Sequence, residues 1–399
     1  MILVKKALSI ICKNTKKNLA TENINTEKSL GRILAENIRS VVDNPPFNMS
    51  AMDGYAVHDN PSTGIYKVVD VTFAGKPTKK RLTKGKAIRV FTGSKLPKGT
   101  KAVIIQENIK KLEDKLIFNI TKKIKLGNYI RKKGLDFKRN KIIITKSKEI
   151  NSRDIALLIG ANVKHVKVFK KPRITLLASG DELIVSNKKK AEGSIYASSL
   201  FMIESLINLS ASKCISKKIV KDNKNIIKRE LNKATKSDII ITTGGVSVGN
   251  KDLIRSSLLE LGYEEKFWKI MMKPGKPLLF GVLNGTPVFS LPGNPVSSYV
   301  CFYIFVVPYL YKLFQMKKKL DIKNAKLKNN VNTSLHRESY VRGFYYDKKE
   351  ITYVHALPNQ DSSLLKTLSE SNCLIKIPKS NKQKNKGSNV EILILPHLY

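Results

Sequence analysis

From residue 171 to residue 318 the sequence alternates strand-like runs with helix-like segments, and no other feature constrains the fold as much. RITLLAS (173–179), CISKKIV (214–220) and SDIIITT (237–243) read as strands. Between and after them, SIYASSLFMIESLINL (194–209), DNKNIIKRELNKA (222–234) and KDLIRSSLLELG (251–262) carry apolar residues at helical spacing. FWKIMM, PLLFGVL and TPVFSL follow, and a last helix starts at Pro295. Alternation of this kind predicts a parallel, doubly wound α/β domain.

A chain of 399 residues exceeds one core, and the rest divides by pattern. Residues 1–40 and 141–170 read as a mixed N-terminal domain, with helices expected at TEKSLGRILAENI, capped by Thr26, and at SRDIALLIGA, capped by Ser152. Residues 41–140 hold short β-rich pieces (IYKVVDVTF, AIRVFTG, KAVIIQENI) between Gly, Pro and Lys turns, the mark of a small β domain. Residues 319–399 alternate apolar and polar residues in GFYYD, ITYVHAL, CLIKIP and VEILIL, which predicts a second, barrel-like β domain. The expected class is multidomain α/β plus β.

In an open α/β sheet, ligands bind beyond the carboxyl ends of the strands. After RITLLAS come Gly180, Asp181 and Glu182. After SDIIITT come Gly244, Gly245, Ser247 and Gly249, with Asp252 opening the next helix. After TPVFSL come Pro292, Gly293, Asn294 and Pro295, an N-cap and N1 pair. Glycines at such turns let backbone N–H groups approach an anion. Each loop also reads simply as a tight βα turn. KPGKP (273–277) sets Lys273 and Lys276 on a proline-braced turn. Two ammoniums near anion-ready loops suit a diphosphate or oxyanion, and the carboxylates suit Mg²⁺. No Ser-His-Asp or Cys-His arrangement is readable, so positioning and charge neutralisation are the expected chemistry. One acid stands apart: Asp53, inside the small, apolar SAMDGYAV (50–57).

SAMDGYAV, SGDEL (179–183), TGGVSVG (243–249), KPGKP and LPGNPVSS (291–298) occur in one chain in this order. The sequence resembles, over essentially its whole length, the MoeA/gephyrin family of molybdopterin molybdenumtransferases. The resemblance implies insertion of molybdate into adenylylated molybdopterin with release of AMP, a Mg²⁺ requirement, and a homodimer whose active site is composite. It assigns catalytic roles to Asp53, Glu182, Asp252, Lys273 and Lys276, and metal binding to Asp53, Glu182 and Asp252. Substrate-binding positions would be Thr92, Asp136, Asp222, Gly244, Gly245, Ser247, Gly249, Pro292, Gly293, Asn294, Pro295 and Ser362. The TGGVSVG loop is shared with the related adenylyltransferases, which leaves adenylyl transfer as an alternative and an adenylyltransferase as a partner.

The net charge of +43 draws anions of every kind. Basic residues are spread along the chain and no nucleic-acid module is readable, so a nucleic-acid partner is not expected, and a basic nucleic-acid-binding or scaffold protein on the same fold stands only as an alternative. The four cysteines are far apart, which argues against a zinc site or disulfide framework. The apolar run Tyr299–Tyr311 contains Pro308 and falls short of the ~20 residues that span a bilayer, so it reads as a buried helix. The N-terminus lacks signal-peptide order, and a cytoplasmic location is expected.

Overall fold

The computed structural model describes residues 1–15, 19–59, 65–112, 115–118, 125–185, 192–244 and 253–396. Gly245, Ser247, Gly249 and Asp252 lie outside the described residues. The chain forms two compact units: residues 23–168, and residues 1–22 together with 169–399.

The first unit centres on a six-stranded sheet. Its strands are β1 (Gly54–Val57), β2 (Ile65–Thr72), β3 (Lys86–Val90), β4 (Ala102–Ile105), β5 (Ile109–Leu112) and β6 (Lys115–Phe118), in the order β4-β1-β3-β2-β6-β5. Period-two alternation sends Val57, Ala87, Ala102 and Ile104 to one face, and Ala56, Ile88, Val90 and Val103 to the other. Both faces are buried, and β1 is held by antiparallel pairing to β3 on one side and β4 on the other. Helix α1 (Ser152–Gly160) is capped by Asn151, not by the expected Ser152. The Asn151 side chain accepts from the Asp154 amide at 3.1 Å, and Asp154 accepts from the Asn151 amide at 3.0 Å, a capping box. The helix expected at Thr26 does not form. Thr26–Lys28 is one 3₁₀ turn, Gly31 takes a φ of +69°, and Ile33 and Leu34 make β-bridges to Glu149 and Val168. The left-handed glycine stops a helix that the apolar spacing favoured.

The second unit contains the α/β layer. In chain order it runs β7 (Arg173–Ser179), α2 (Ser198–Leu209), β8 (Lys213–Val220), α3 (Lys224–Ala234), β9 (Ile239–Thr243), α4 (Leu253–Glu260), β10 (Glu264–Trp268), β11 (Leu279–Leu283) and β12 (Thr286–Leu291). The sheet order is β8-β7-β9-β12-β11-β10. β8, β7, β9 and β12 are parallel, as expected; β11 departs from that expectation, pairing antiparallel with both β12 and β10, so that β10 again runs in the sense of the parallel strands. Asn284 and Gly285, both at positive φ (47° and 75°), join β11 to β12 in a two-residue turn that permits only antiparallel pairing. α3 and α4 cover one face with Leu177, Ile240, Val288 and Leu279 beneath them. The helix Pro295–Leu313 is α5 (Pro295–Cys301), a π-helical turn Phe302–Val306 and α6 (Val307–Leu313). It is long and apolar enough to cross a membrane, but 78% of it is buried, and Tyr309 packs edge-on against Phe289 of the sheet at 5.3 Å.

The C-terminal part is a closed five-stranded barrel. β13 (Ile322–Leu327), β14 (Glu338–Lys348), β15 (Ile351–Ala356), β16 (Cys373–Ile377) and β17 (Asn389–Ile394) pair in the order β14-β15-β13-β17-β16, and β16 returns to β14. An unexpected helix, α7 (Leu365–Glu370), interrupts it. The short strand Met272–Lys273 pairs in parallel with Glu338–Ser339 at the start of β14. The KPGKP turn is thereby stitched to the barrel. All four cysteines are free thiols.

Candidate active site

The carboxyl ends of β7, β9 and β12 meet through bare backbone. Gly244 has φ +80°, and a Cβ there would sit 2.5 Å from the Ser179 carbonyl oxygen. A Cβ on Gly293 would in turn touch Gly244 Cα at 3.4 Å. Glycine is required at 244 both by conformation and by the close approach. Gly244→Ala is therefore expected to lower thermal stability and to weaken substrate binding about tenfold or more, since left-handed strain of ~1–3 kcal/mol adds to a backbone clash. Gly262→Ala, also at positive φ but with nothing within 4 Å of its Cβ position, is the control that carries strain alone. Calorimetry and a substrate titration of both variants check this.

The loops around that junction are tied together. The Ser179 hydroxyl donates to Asp222 Oδ1 at 2.5 Å, and the Asp222 amide donates to Asp181 Oδ1 at 3.1 Å. Glu182 folds back over Gly180, where a Cβ would meet its carboxylate at 2.7 Å. Opposite stands the KPGKP turn, closed by the Ile270 amide donating to the Lys276 carbonyl at 2.9 Å. Gly275, at φ +104°, lies against Cys301, whose Sγ leaves no room for a Cβ. The turn is thus fixed from below, and Lys273 and Lys276 make no ion pair among the described residues.

Asn294 corrects an expectation. It holds the N-cap position of α5, but its side chain makes no cap bond. Its amide instead donates to Ser362 Oγ at 2.7 Å, and the Val296 amide donates to the Ser362 carbonyl at 3.2 Å. The barrel loop caps the helix. Pro295 sits at N1, and Ser298 Oγ bonds the Pro292 carbonyl.

Together these elements enclose a cleft of 880 Å³. Of the expected residues, Glu182, Asp222, Gly244, Lys273, Lys276, Pro292, Gly293, Asn294 and Ser362 line it. Pro295 lines an adjoining chamber of 340 Å³, which shares Glu182, Gly244 and Asn294 with the cleft and adds Leu183, Tyr196 and Leu200. A second chamber, of 510 Å³, shares Lys273 and Gln360 with the cleft and is rich in amides, with Asn329, Asn330 and Asn332. Sequence reasoning missed Ser179, Arg337, Gln360 and Asp361 in the cleft. Asp361 is held below the usual carboxylate range, first by the Ser363 hydroxyl (2.6 Å) and then by the Ser363 amide (2.8 Å). No signal in the sequence separates Arg337 from the other basic residues.

Asp53, Thr92 and Asp136 belong to the first unit. Thr92 donates both its amide (2.7 Å) and its hydroxyl (2.8 Å) to Asp53 Oδ1. These two bonds, the amide first, with a lesser contribution from Arg89, hold the Asp53 carboxyl below its ordinary value. Arg89 is itself fixed between the rings of Tyr55 (4.7 Å) and Phe91 (5.1 Å). Gly54 is forced by β4: a Cβ would lie 2.0 Å from the Ile104 carbonyl oxygen. The structure thus joins two residues, Asp53 and Thr92, that the sequence places 39 apart. Asp136 is exposed and accepts from the Asn44 side chain at 3.1 Å. Among the described residues no three His, Cys, Asp or Glu side chains gather as a metal-binding group.

Three family profiles match consecutive stretches of this architecture. The MoeA N-terminal region (domain I and II) matches residues 2–161, a probable molybdopterin binding domain matches 175–312, and the MoeA C-terminal region (domain IV) matches 324–395. A molybdopterin molybdenumtransferase of Haemophilus influenzae is 33% identical over 384 residues, 95% of each chain. The chain belongs to the MoeA family. A second MoeA-family relative, the molybdopterin molybdenumtransferase of Nostoc, is 30% identical over 94% of this chain and 89% of its own. The crystal structure of the molybdopterin biosynthesis MoeA protein from Pyrococcus horikoshii superposes with a TM-score of 0.85 at 28% identity, covering 99% of this chain and all of that one.

Proposed function

We propose that this chain is a molybdopterin molybdenumtransferase, transferring molybdenum from molybdate to adenylylated molybdopterin with release of AMP. The observation that carries the reading is the cleft: Lys273 and Lys276, without an ion pair among the described residues, and Arg337 line 880 Å³ together with Glu182 and Asp222 at the carboxyl ends of three parallel strands. Such a site suits a substrate with a diphosphate between two heterocycles. The cations take the diphosphate and the oxyanion, and the two adjoining chambers have room for the ring systems. Family membership supports the same reaction.

Lys273, Lys276 and Arg337 bind and orient the anions, acting mainly through charge already in place before substrate arrives. Ser362 and Asn294, bonded to each other, present a hydroxyl and an amide at the cleft wall. Glu182, with Asp252, would hold Mg²⁺, a hard cation that would supply charge neutralisation for a phosphate-bearing substrate. We further propose a cytoplasmic homodimer in which Asp53 serves the cleft of the second copy.

The test is AMP release from adenylylated molybdopterin by the purified protein, with and without molybdate and Mg²⁺. Release that needs both is the expected result. Binding of the pterin with no AMP release when both are present refutes the assignment, and AMP transfer from ATP to molybdopterin replaces it with adenylyl transfer.

A further inference from the structure

The +43 charge is left unexplained by the cleft, and one surface of the barrel concentrates it beside exposed rings. β14 and β15 are joined by Lys349 and Glu350, both at positive φ, in a tight hairpin. Its register sets Phe344 opposite His355 and Tyr346 opposite Tyr353. Strand alternation turns Tyr345 and Val354 toward the barrel core, so the four opposed rings face outward. Each cross-strand pair has its ring centroids 5.8 Å apart. Phe344 is 41% and Tyr346 36% exposed. On the neighbouring strand Lys326 pairs with Tyr353, and Lys328 Nζ lies 4.9 Å from the centre of the Tyr353 ring. Lys348 continues the outward row of β14.

Lys326, Lys328, Lys348 and Lys349 have no carboxylate partner among the described residues. Of the acids nearby, Asp347 is held by Lys323 at 2.7 Å, Glu391 by Lys376 at 2.7 Å, and Glu338 lies at the far end of β14, bonded to Tyr340; Glu350, in the hairpin turn, forms no ion pair with these lysines among the described residues. What remains outward is two layers of rings with cations interleaved. Cross-strand packing accounts for the pairs themselves. It does not account for two large aromatic side chains, Phe344 and Tyr346, left exposed beside lysines that have no carboxylate partner among the described residues.

We propose that this face binds single-stranded nucleic acid, the bases stacking on the exposed Phe344 and Tyr346 and the lysines taking the phosphates. A duplex hides its base faces, and the carboxylates of an acidic peptide offer charge without a ring, whereas every nucleotide of a single strand offers both, so the exposed aromatics favour a single strand. The sequence offers nucleic-acid binding only as an alternative resting on charge, because the rings come together only through strand register. It is independent of the reaction proposed for the cleft.

The experiment uses the full chain and a fluorescein-labelled oligothymidine of about 20 nucleotides, read by anisotropy from about 50 to 200 mM salt. The single strand is expected to bind about tenfold tighter than a duplex of the same length, and Phe344→Leu/Tyr346→Leu to abolish that preference. Leucine keeps the apolar area and removes only the ring faces, and a melting curve matched to the parent confirms the fold. Lys328→Gln/Lys348→Gln should flatten the salt dependence by about two phosphate contacts, with AMP release unchanged in all variants. Equal affinity for single strand, duplex and inorganic polyphosphate overturns the proposal, leaving charge alone. So does full affinity in the leucine variant, or ring-dependent displacement of the strand by polyglutamate, which makes the face a protein site.

Discussion

Arg342→Met is expected to cost the protein both stability and substrate affinity, although Arg342 is not among the residues that line the cleft. Its side chain is fully buried, on the face of β14 opposite the core residues Val341 and Tyr345, beneath residues 359–364. Nη1 donates to the Leu364 carbonyl at 3.0 Å, and Nη2 to the carbonyls of Asn359 (3.1 Å) and Asp361 (2.9 Å). Its backbone amide donates to Gln360 Oε1 at 2.9 Å, and Gln360 Nε2 returns a bond to the Arg342 carbonyl at 3.1 Å. One guanidinium therefore sets the path of residues 359–364, and that segment brings Gln360, Asp361 and Ser362 to the cleft. Methionine fills the volume and offers no donor. Three carbonyls lose their partner at about 1–3 kcal/mol each if they stay buried, so a loss of about 3 kcal/mol or more is expected. The barrel's melting transition should fall by several degrees. A merely structural role predicts unchanged kinetics below that transition. A positioning role predicts a raised KM there, because a displaced Ser362 leaves the Asn294 amide without its acceptor and α5 without its cap. Arg342→Lys, which keeps the charge but not the fork of donors, should recover part of the stability and little of the affinity.

What the sequence made legible follows from which interactions are local. β7, β9 and β12 were readable because strands buried on both faces become short apolar runs, and the loops after them were readable because glycine and proline punctuate them. The Asn284–Gly285 turn is an equally local signal, and it alone reverses β11 against the parallel strands. The false helix at Thr26 shows the opposite failure. Apolar spacing at Leu30, Ile33 and Leu34 matched a helix, but Leu30 is exposed and the other two are held by strand partners more than 100 residues away. Ser362 had a motif but no visible partner; its bonds to Asn294 and Val296 span 68 and 66 residues. Arg337 and Arg342 had neither: among 74 basic residues, only burial or a place in the cleft distinguishes an arginine.

Asp53→Asn is expected to lower turnover by about 10²–10³-fold while leaving the melting curve unchanged. The asparagine carbonyl oxygen can still accept the Thr92 amide and hydroxyl that Asp53 Oδ1 accepts now, so the turn survives and only the charge is lost. In the parent protein those bonds depress the carboxyl, so the charge is complete above the ordinary carboxylate range and is lost only as pH falls through the depressed value. Activity that depends on Asp53 should accordingly hold on the acid side until below that range, and the asparagine variant should lack this acid limb. Turnover equal to the parent's would reduce Asp53 to a turn residue. The variant also decides where the carboxylate acts. Asp53→Asn and Lys276→Ala chains are each expected to be inactive alone. If Asp53 serves its own chain's cleft, mixed dimers hold one lesion in each site and stay inactive. If it serves the partner's cleft, one site of every mixed dimer collects both lesions and the other is intact, so random reassociation restores about a quarter of parental activity. A mixture that remains inactive, with mixed dimers demonstrated by differential tags, would rule out a composite site.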